Sequence, residues 1–232
     1  LSTNDEFTNF EIWDKGSLGS GEAKTPAMLP REYAREALKR GLAYEAKLGV
    51  NPFKFGMVGS TDSHTSLATT QENNFFGKIT ALEPSADPIR FDEVVAGRVK
   101  NTEGKQVEQY ARQTSASGLA GVWAVNNTRE ALWDAMARKE VFATTGTRLK
   151  VRLFGGYDFA QADLDRADLT KQGYTRGVPM GGDMKTAPAG ASPTFLVQAM
   201  RDQDGANLDR MQIIQGRLDA ERQPHEQLYD LA

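Results

Sequence analysis

The sequence predicts an α/β fold over residues 1–148, followed by a smaller antiparallel β-rich, sandwich-like domain over residues 149–232. The first part of this prediction depends on the order strand, helix, strand over residues 10–64, which is the unit that builds parallel sheets. The second part depends on the alternation of apolar and polar residues after Leu149, which indicates strands with one solvated face.

Length and charge exclude several classes of protein. A chain of 232 residues can bury about 70% of its unfolded surface, so it can hold one large domain or two smaller ones. The 28 Lys and Arg residues against 31 Asp and Glu give a net charge of -3, which offers no electrostatic attraction to nucleic acid or to an anionic membrane. No apolar run approaches the ~20 residues of a spanning helix. We therefore expect a soluble protein without a nucleic-acid or membrane partner.

Cysteine is absent, which excludes disulfides, thiolate metal sites and a cysteine nucleophile. Because this absence suits either a reducing or an oxidising compartment, a cytoplasmic and an extracytoplasmic location both stay open. No signal peptide opens the chain, which begins at Leu1, and residues 227–232 resemble a strand that is cut short. We expect an internal or C-terminal fragment of a longer protein, with a truncated β-rich domain.

The first predicted elements are a short strand and a long helix. Residues 9–14 form a mostly apolar run that contains Glu11. Glu11 could act in catalysis, but with no motif around it we favour a strand carboxylate that backbone or hydroxyl donors satisfy. Pro30 is predicted to begin a helix that runs to Leu48 and stops at Gly49.

The next predicted strand leads to the candidate site. Residues 53–58 are apolar after Lys54, which is typical of a strand buried on both faces, and Gly59 ends the run. The loop after the strand carries one carboxylate, one imidazole and four hydroxyls, from Asp62, His64, Ser60, Thr61, Ser63 and Thr65.

An Asp-x-His sequence at the end of a strand places two side chains of metal-ligand type, Asp62 and His64, on one loop. Ligands collect at the carboxyl ends of parallel strands, so the position favours a binding site. A hydrogen-bonded Asp or His at a strand end is itself common, and the tripeptide alone leaves that structural role open. The chain has only two histidines, and the other, His225, lies in a run typical of an exposed turn.

The middle of the chain is less informative. Phe75 and Phe76 are adjacent aromatics, which we assign to core packing rather than to a substrate wall. Residues 78–114 contain early prolines and then a charged, weakly periodic stretch, and we interpret them as a surface excursion with a solvated face.

A second buried strand is predicted over residues 119–124, and another short strand over residues 141–146. Between them, Asn127 and Glu130 form a capping signature for a helix that runs to about residue 139. The residues expected on its inward face are Leu132, Ala135 and Met136.

After Leu149, the chain is expected to form antiparallel strands. Leu149, Val151 and Leu153 alternate with Lys150 and Arg152, which predicts a strand with the two basic residues on its solvated face. A polar segment follows, and residues 177–183 are interpreted as a turn because their glycine spacing fits neither a P-loop nor a dinucleotide fingerprint. Further strands are predicted at 195–199, 211–214 and 228–231.

Several runs resemble known families. The run Gly-Ser-Thr-Asp-Ser-His at 59–64, preceded by Asn-Phe-Glu-Ile-Trp at 9–13, resembles the closing half of a PHP domain. PHP domains form the polymerase and histidinol phosphatase superfamily of metal-dependent phosphoesterases. More closely, runs across nearly the whole chain resemble the bacterial domain of unknown function 3604 family, which has a PHP-like barrel. These runs are 60–66, 72–78, 116–123, 127–130, 143–146, 154–156 and 177–183.

The PHP resemblance implies a distorted (β/α)7 barrel, of which residues 1–148 would form the C-terminal half. It also implies that Asp62 and His64 bind a divalent metal ion, which would be zinc, manganese or iron. Such proteins carry an early His-x-His and further ligands that are absent from these 232 residues. We therefore expect the missing N-terminal half of the same protein to supply them, and the fragment alone to be inactive. Glu11 aligns with a glutamate of PHP domains, but we do not assign it as a ligand.

The predicted function is a metal-dependent hydrolase, of phosphoesterase type, that acts on a small-molecule substrate. Metal-bound water with a pKa lowered to about 7 would attack phosphorus. Ser60, Thr61 and Thr65 would contact the metal ligands or the substrate. Arg148 would clamp an anion, with a surface ion pair as an equally good alternative. The second hypothesis is a non-catalytic protein that binds a ligand or partner on a degenerate barrel and needs no metal.

Overall fold

The computed structural model describes residues 25, 27–28, 31, 33–67, 78, 81–100, 106–111 and 116–232. The elements in chain order are α1 (Ala34–Leu48), α2 (Ile89–Asp92), β1 (Val94–Lys100), β2 (Gln106–Tyr110), β3 (Leu119–Val122), α3 (Arg129–Ala137), β4 (Val141–Thr144), β5 (Lys150–Gly156), α4 (Leu169–Arg176), β6 (Val178–Pro179), β7 (Thr194–Met200), β8 (Gln212–Leu218) and β9 (Pro224–Asp230). A 3-10 turn, Gln161–Asp163, lies between β5 and α4. Helix and strand are mixed, as predicted from the sequence.

All strand pairs within the described residues are antiparallel, and those residues form four small sheets and no closed barrel. The parallel sheet expected from residues 10–64 is not seen among the described strands, and its first predicted strand, over residues 9–14, lies outside the described residues. The physical reason is that the chain reverses direction between the two strands of each described pair. Antiparallel partners of this kind do not need the crossover connection that parallel strands require. No helix in the described part of the chain is long and apolar enough to cross a membrane.

Helix α1 begins at Ala34, later than predicted, and Pro30 lies outside the described residues. It ends as predicted at Gly49, whose φ of 77° allows its N–H to reach the carbonyl of Glu45. The helix packs against the β8–β9 hairpin, where Arg35 Nε donates to Glu226 Oε2 at 2.7 Å. Residues from both predicted domains are thus in contact, and the division at 148/149 stays a prediction.

Residues 53–63 form no regular strand. Phe55 and Val58 are 39% and 54% exposed, so the prediction of a strand buried on both faces is wrong. The segment instead passes close to the β3–β4 pair, with Gly56 near Val141 and Gly59 near Leu119 and Thr144, and joins no ladder. A Cβ atom on Gly59 would lie 2.5 Å from the carbonyl oxygen of Leu119, so only glycine permits this close approach.

The region between the site loop and β3 contains regular structure at the described positions. Helix α2 is followed by β1 and β2, which pair in an antiparallel ladder from Val94 opposite Tyr110 to Lys100 opposite Gln106. The N–H of Ala111 donates to the carbonyl of Glu93 at 2.8 Å and closes the base of this hairpin. Phe75 and Phe76 lie outside the described residues, so their assignment to the core stays a prediction.

The predicted strand, helix, strand order between residues 119 and 146 is confirmed as β3, α3 and β4. The cap of α3 is Thr128, whose Oγ1 accepts from the N–H of Ala131 at 3.3 Å, rather than the predicted Asn127. Ala131 and Ala135 are buried, whereas Met136 is exposed and was wrongly placed on the inward face. Because Ala131 and Ala135 are the buried residues of this helix, its buried face is narrow and does not reach Met136.

Strands β6, β5 and β7 form one sheet around the core residues Phe154, Phe159 and Leu196. Phe154 is 1% exposed and lies two residues from Arg152, so both project from the same face of β5. The face predicted to be solvated is exposed at Lys150, as predicted, but contributes Phe154 to the core further along the strand. Arg152 is accommodated there because its guanidinium stacks on the ring of Trp123.

Helix α4 was not predicted, because its sequence Leu-Thr-Lys-Gln-Gly-Tyr-Thr-Arg is short and largely polar. Gly173 lets the helix lie directly against the Phe154 ring, 2.5 Å from where a Cβ atom would be. The turn predicted over residues 177–183 is confirmed, with β6 at its start and Gly181 at a φ of 83°. The strands predicted at 195–199, 211–214 and 228–231 are present as the longer β7, β8 and β9.

Candidate functional site

The loop after Gly59 is shaped by its own hydroxyl groups. Asp62 and Ser66 have φ values of 49° and 59°, a left-handed conformation that Asp tolerates better than most residues. Ser60 Oγ accepts from the N–H of Asp62 at 3.4 Å, and Thr65 Oγ1 accepts from the N–H of Leu67 at 3.1 Å. Each of these bonds spans two residues, which is the pattern of Ser and Thr turns.

Thr61 Oγ1 accepts from the N–H of Ser63 at 3.4 Å, so it continues the same pattern. Ser63 Oγ and Thr65 Oγ1 lie 3.2 Å apart and join the two turns. Among the described residues, these hydroxyl hydrogen bonds of Ser60, Thr61 and Thr65 lie within the loop. A contact of these hydroxyls with a metal ligand or a substrate stays a prediction.

The two predicted ligands lie side by side. His64 Nε2 is 3.3 Å from Asp62 Oδ1, and the side chains of His64 and Asp62 are 58% and 66% exposed. A carboxylate oxygen and an imidazole nitrogen therefore converge on one accessible point. These are donor types that zinc, manganese and iron accept.

A lysine completes this cluster and was missed by the sequence interpretation. Lys78 is only 6% exposed, and its ammonium contacts Asp62 Oδ2, the carboxylate oxygen that does not face His64. A buried ammonium needs a nearby acceptor or counter-charge, and Asp62 supplies both. The only sequence signal for Lys78 was its position at the end of the family-like run 72–78.

The donor set fits a divalent cation in kind. The Asp62 carboxylate contacts the positively charged Lys78 ammonium through one oxygen. Its other oxygen lies beside His64 Nε2, and these two atoms are the candidate ligands. In number the set is incomplete, because no three His, Asp or Glu side chains gather at one point in the described part of the chain. A catalytic zinc site needs three protein ligands, so Asp62 and His64 can form part of such a site.

Comparison with known protein families confirms the closer of the two resemblances seen in the sequence, and the PHP resemblance stays a prediction. Over residues 1–232, the chain matches the family described as Protein of unknown function (DUF3604). The chain belongs to the DUF3604 family. No curated protein and no solved structure matches it. For this DUF3604 chain, function has to be argued from the site itself.

The scaffold under the DUF3604 site loop is the β3–β4 pair. A Cβ atom on Gly118 would lie 2.3 Å from the carbonyl oxygen of Ser60, so the loop begins in direct contact with the chain entering β3. Ser117 Oγ donates to the carbonyl of Thr145 at 2.7 Å and ties the two strands together at this end. Thr144 Oγ1 is buried at the end of β4 and has no hydrogen-bond partner among the described residues. The backbone of Ser60, the first residue of the loop, is therefore positioned by its contact with the chain entering β3.

In the DUF3604 structure, Arg148 pairs with two aspartates, Asp202 and Asp204. Its backbone N–H donates to Asp202 Oδ2 at 2.7 Å, and its guanidinium donates to Asp204 Oδ2 at 2.9 Å. The backbone hydrogen bond from Arg148 is the largest cause that holds the pKa of Asp202 below its usual range. These contacts match the ion-pair alternative, and the role of Arg148 as an anion clamp stays a prediction.

A second Asp–His pair in the same chain provides an internal comparison. His225 lies at the start of β9, and its Nε2 is 2.5 Å from Asp219 Oδ2 in the hairpin turn. This pair has the same residue types as Asp62 and His64 but is tied to a tight turn, where Asp219 also accepts from the N–H of Gln223. Glu11 lies outside the described residues, so its role is untested.

Proposed function

We propose that this DUF3604 protein is a metal-dependent hydrolase of phosphoesters, in which Asp62 and His64 are two ligands of one zinc, manganese or iron ion. The observation that supports this most directly is the distance of 3.3 Å between Asp62 Oδ1 and His64 Nε2 on an accessible loop. The PHP resemblance supports a further part of the proposal, in which a PHP-like barrel brings in the remaining ligands from its N-terminal half.

Each residue of the cluster has a distinct task in this proposal. When bound, the cation supplies Lewis acidity, which acidifies a water molecule and polarises a phosphoryl oxygen. Asp62 and His64 orient the cation, and the local turns of Ser60 and Thr65 hold the loop in its left-handed bend. Lys78 contacts the other oxygen of the Asp62 carboxylate and orients it from the buried side.

A non-catalytic binding protein is the second candidate. The contact between Lys78 and Asp62 favours it, because this ion pair satisfies the carboxylate without any metal. In that case Asp62 would stabilise the loop through Lys78, and His64 would be a surface side chain. The two candidates differ in whether hydrolysis depends on a metal ion and on Asp62.

The experiment is a hydrolysis assay on the full-length protein with chromogenic phosphomonoester and phosphodiester substrates, with added zinc, manganese or iron and after chelation. Asp62→Asn is expected to lower the metal-dependent rate by about 100-fold or more. Loss of a residue that only hydrogen-bonds a metal ligand already lowers metal affinity or activity by about 10–100-fold, and Asp62 is proposed to be a ligand itself. Asp219→Asn is the matched control, because it removes the carboxylate of the other Asp–His pair.

We expect Asp219→Asn to keep the wild-type rate. A wild-type protein that hydrolyses neither substrate with any of the three metals would contradict the hydrolase proposal and leave the binding protein. Hydrolysis that survives chelation and Asp62→Asn would contradict the assigned site.

A further inference from the structure

Strand β7 lies at the edge of its sheet. In the described part of the chain the strand order is β6, β5, β7, so β7 pairs with β5 on one side and with no strand on the other. In an antiparallel strand with one neighbour, alternate residues direct their N–H and C=O groups away from that neighbour, where another strand can pair with them. Phe195 and Met200 are 43% and 52% exposed, so β7 is accessible near both of its ends.

Strand β7 lacks the features by which exposed edges usually avoid pairing with other chains. Those features are charged residues, prolines, bulges and short length. The seven residues of β7, Thr-Phe-Leu-Val-Gln-Ala-Met, contain no charge and no proline. Their register with β5 is continuous from Met200 to Thr194. This edge is therefore long, regular and largely apolar.

The other described sheets have such protection. The β1–β2 pair is interrupted by two register shifts, and β3 and β4 have only four residues each. Strand β6 has two residues and ends at Pro179. Strand β8 contains Arg217, and β9 contains Pro224, Glu226 and Asp230. Among the described edges, that of β7 is thus the one best suited to accept another strand.

The residue pattern of β7 matches that of a second β7. If two copies pair antiparallel about Val197, Phe195 of one copy lies opposite Ala199 of the other, and Leu196 lies opposite Gln198. Residues directly opposite each other in such a pair project from the same face. The large Phe195 ring then faces a small side chain, and no like charges meet across the pair.

We propose that β7 is the surface through which two copies of this chain associate, by antiparallel pairing about Val197. The pairing joins two three-stranded sheets into one, and it extends the face of the sheet on which Val197 lies opposite Leu153. One strand from each copy makes a small interface, so we expect a reversible dimer with a dissociation constant on the order of 10 μM. This inference does not depend on metal binding by Asp62 and His64.

The first test is sedimentation velocity of the full-length protein from about 1 to 100 μM, a range that spans the expected dissociation constant. The wild type is expected to change from monomer to dimer over this range. Val197→Lys places two like charges directly opposite each other, so it should stay monomeric. Gln227→Lys is the matched control, because it adds the same charge at an exposed position of β9 and should keep the wild-type dimerisation.

The second test is disulfide cross-linking, which reads the register. These 232 residues contain no cysteine, and the wild type, oxidised in parallel, gives the background from the rest of the full-length protein. Val197→Cys should give a cross-linked dimer, because directly opposite Cα atoms lie about 4.5–5.5 Å apart. Phe195→Cys and Ala199→Cys each place equivalent thiols roughly 13 Å apart and should cross-link only when the two variants are mixed.

Each outcome decides the inference. A wild type that stays monomeric at about 100 μM would overturn it. A dimer that persists in folded Val197→Lys would show that another surface is used and would also overturn it. If Val197→Lys does not fold, the cysteine variants decide, since they change the strand little. A wild-type dimer without a cross-link in Val197→Cys would contradict pairing through β7.

Discussion

The guanidinium carbon of Arg152 lies 3.8 Å from the centre of the Trp123 ring. Trp123 follows β3 directly, and its Nε1 donates to the carbonyl of Val151 on β5 at 2.9 Å. Arg152 in turn donates to Thr170 Oγ1 at 3.1 Å, at the start of α4. This contact therefore joins the β3–β4 scaffold of the site loop to the sheet that contains Phe154.

Arg152→Lys is expected to lower the free energy of unfolding by about 1–2 kcal/mol, because an ammonium cannot stack as a planar guanidinium does. The measurement is the urea midpoint of each variant. Arg217→Lys is the control, since Arg217 is an exposed arginine of a strand. Its effect should stay within about 0.5 kcal/mol, and an equal loss at both positions would refute the stacking contribution.

Gly59→Ala is expected to destabilise the protein by roughly 1–3 kcal/mol through overpacking. The new Cβ atom would lie 2.5 Å from the Leu119 carbonyl oxygen and 2.8 Å from that of Thr144, and both are backbone atoms that cannot rotate away. Gly216→Ala is the control, because its nearest neighbour would be the Lys39 side chain at 3.4 Å. Denaturant midpoints should fall for Gly59→Ala alone, and a wild-type midpoint would show that the segment does not pack as described.

Thr144→Val is expected to raise the free energy of unfolding by about 0.5–2 kcal/mol, since it removes a buried hydroxyl that has no hydrogen-bond partner among the described residues. Valine keeps the shape and the β-branched geometry of threonine. Thr145→Val, at the exposed neighbouring position, should change stability by less than about 0.5 kcal/mol. A loss of stability for Thr144→Val in thermal unfolding would mean that the hydroxyl is hydrogen-bonded in solution.

Acid is expected to destabilise the protein in part through Asp168. Hydrogen bonds from Arg166, and secondly from Gln172, lower the pKa of the Asp168 carboxyl to about 2. Because this pKa lies below the unfolded value of about 3.9, the ionised carboxylate stabilises the fold above pH ~4, and this contribution is lost as the pH falls through about 2.

The measurement is the melting temperature of the wild type and of Asp168→Asn between pH 2 and 6. The difference between them should be constant above pH ~4 and shrink as the pH falls towards 2. A difference that grows as the pH falls would contradict the assigned pKa direction.

Much of the local structure could be predicted from residue patterns. Strands β4, β5 and β7 and helix α3 follow from alternation, apolar runs and a capping signature, because these signals act over a few residues. The prediction of a strand at 53–58 was wrong. An apolar run indicates that residues tend to be buried, but it does not show whether another strand lies beside them to form a ladder. Arg152 was placed on a solvated face because its partner, Trp123, is distant in the sequence.

The same limit applies to the candidate site. Asp62 and His64 were found because both lie on one short loop, and their separation of 3.3 Å agrees with that spacing. Lys78 comes from outside that loop, and nothing in the sequence marks it as buried. Contacts between distant segments depend on tertiary packing, which no short motif encodes.

Removal of the His64 ring tests most directly whether Asp62 and His64 hold one cation. Metal content and denaturant midpoint are measured on wild type, His64→Ala and His225→Ala, each stripped and loaded, because bound metal itself raises apparent stability. We predict that His64→Ala loses about 100-fold or more in metal affinity, with a stripped stability within about 0.5 kcal/mol of wild type because the side chain is 58% exposed. His225→Ala should keep wild-type metal affinity. Full metal occupancy in His64→Ala, together with a lower stripped midpoint, would contradict the ligand assignment.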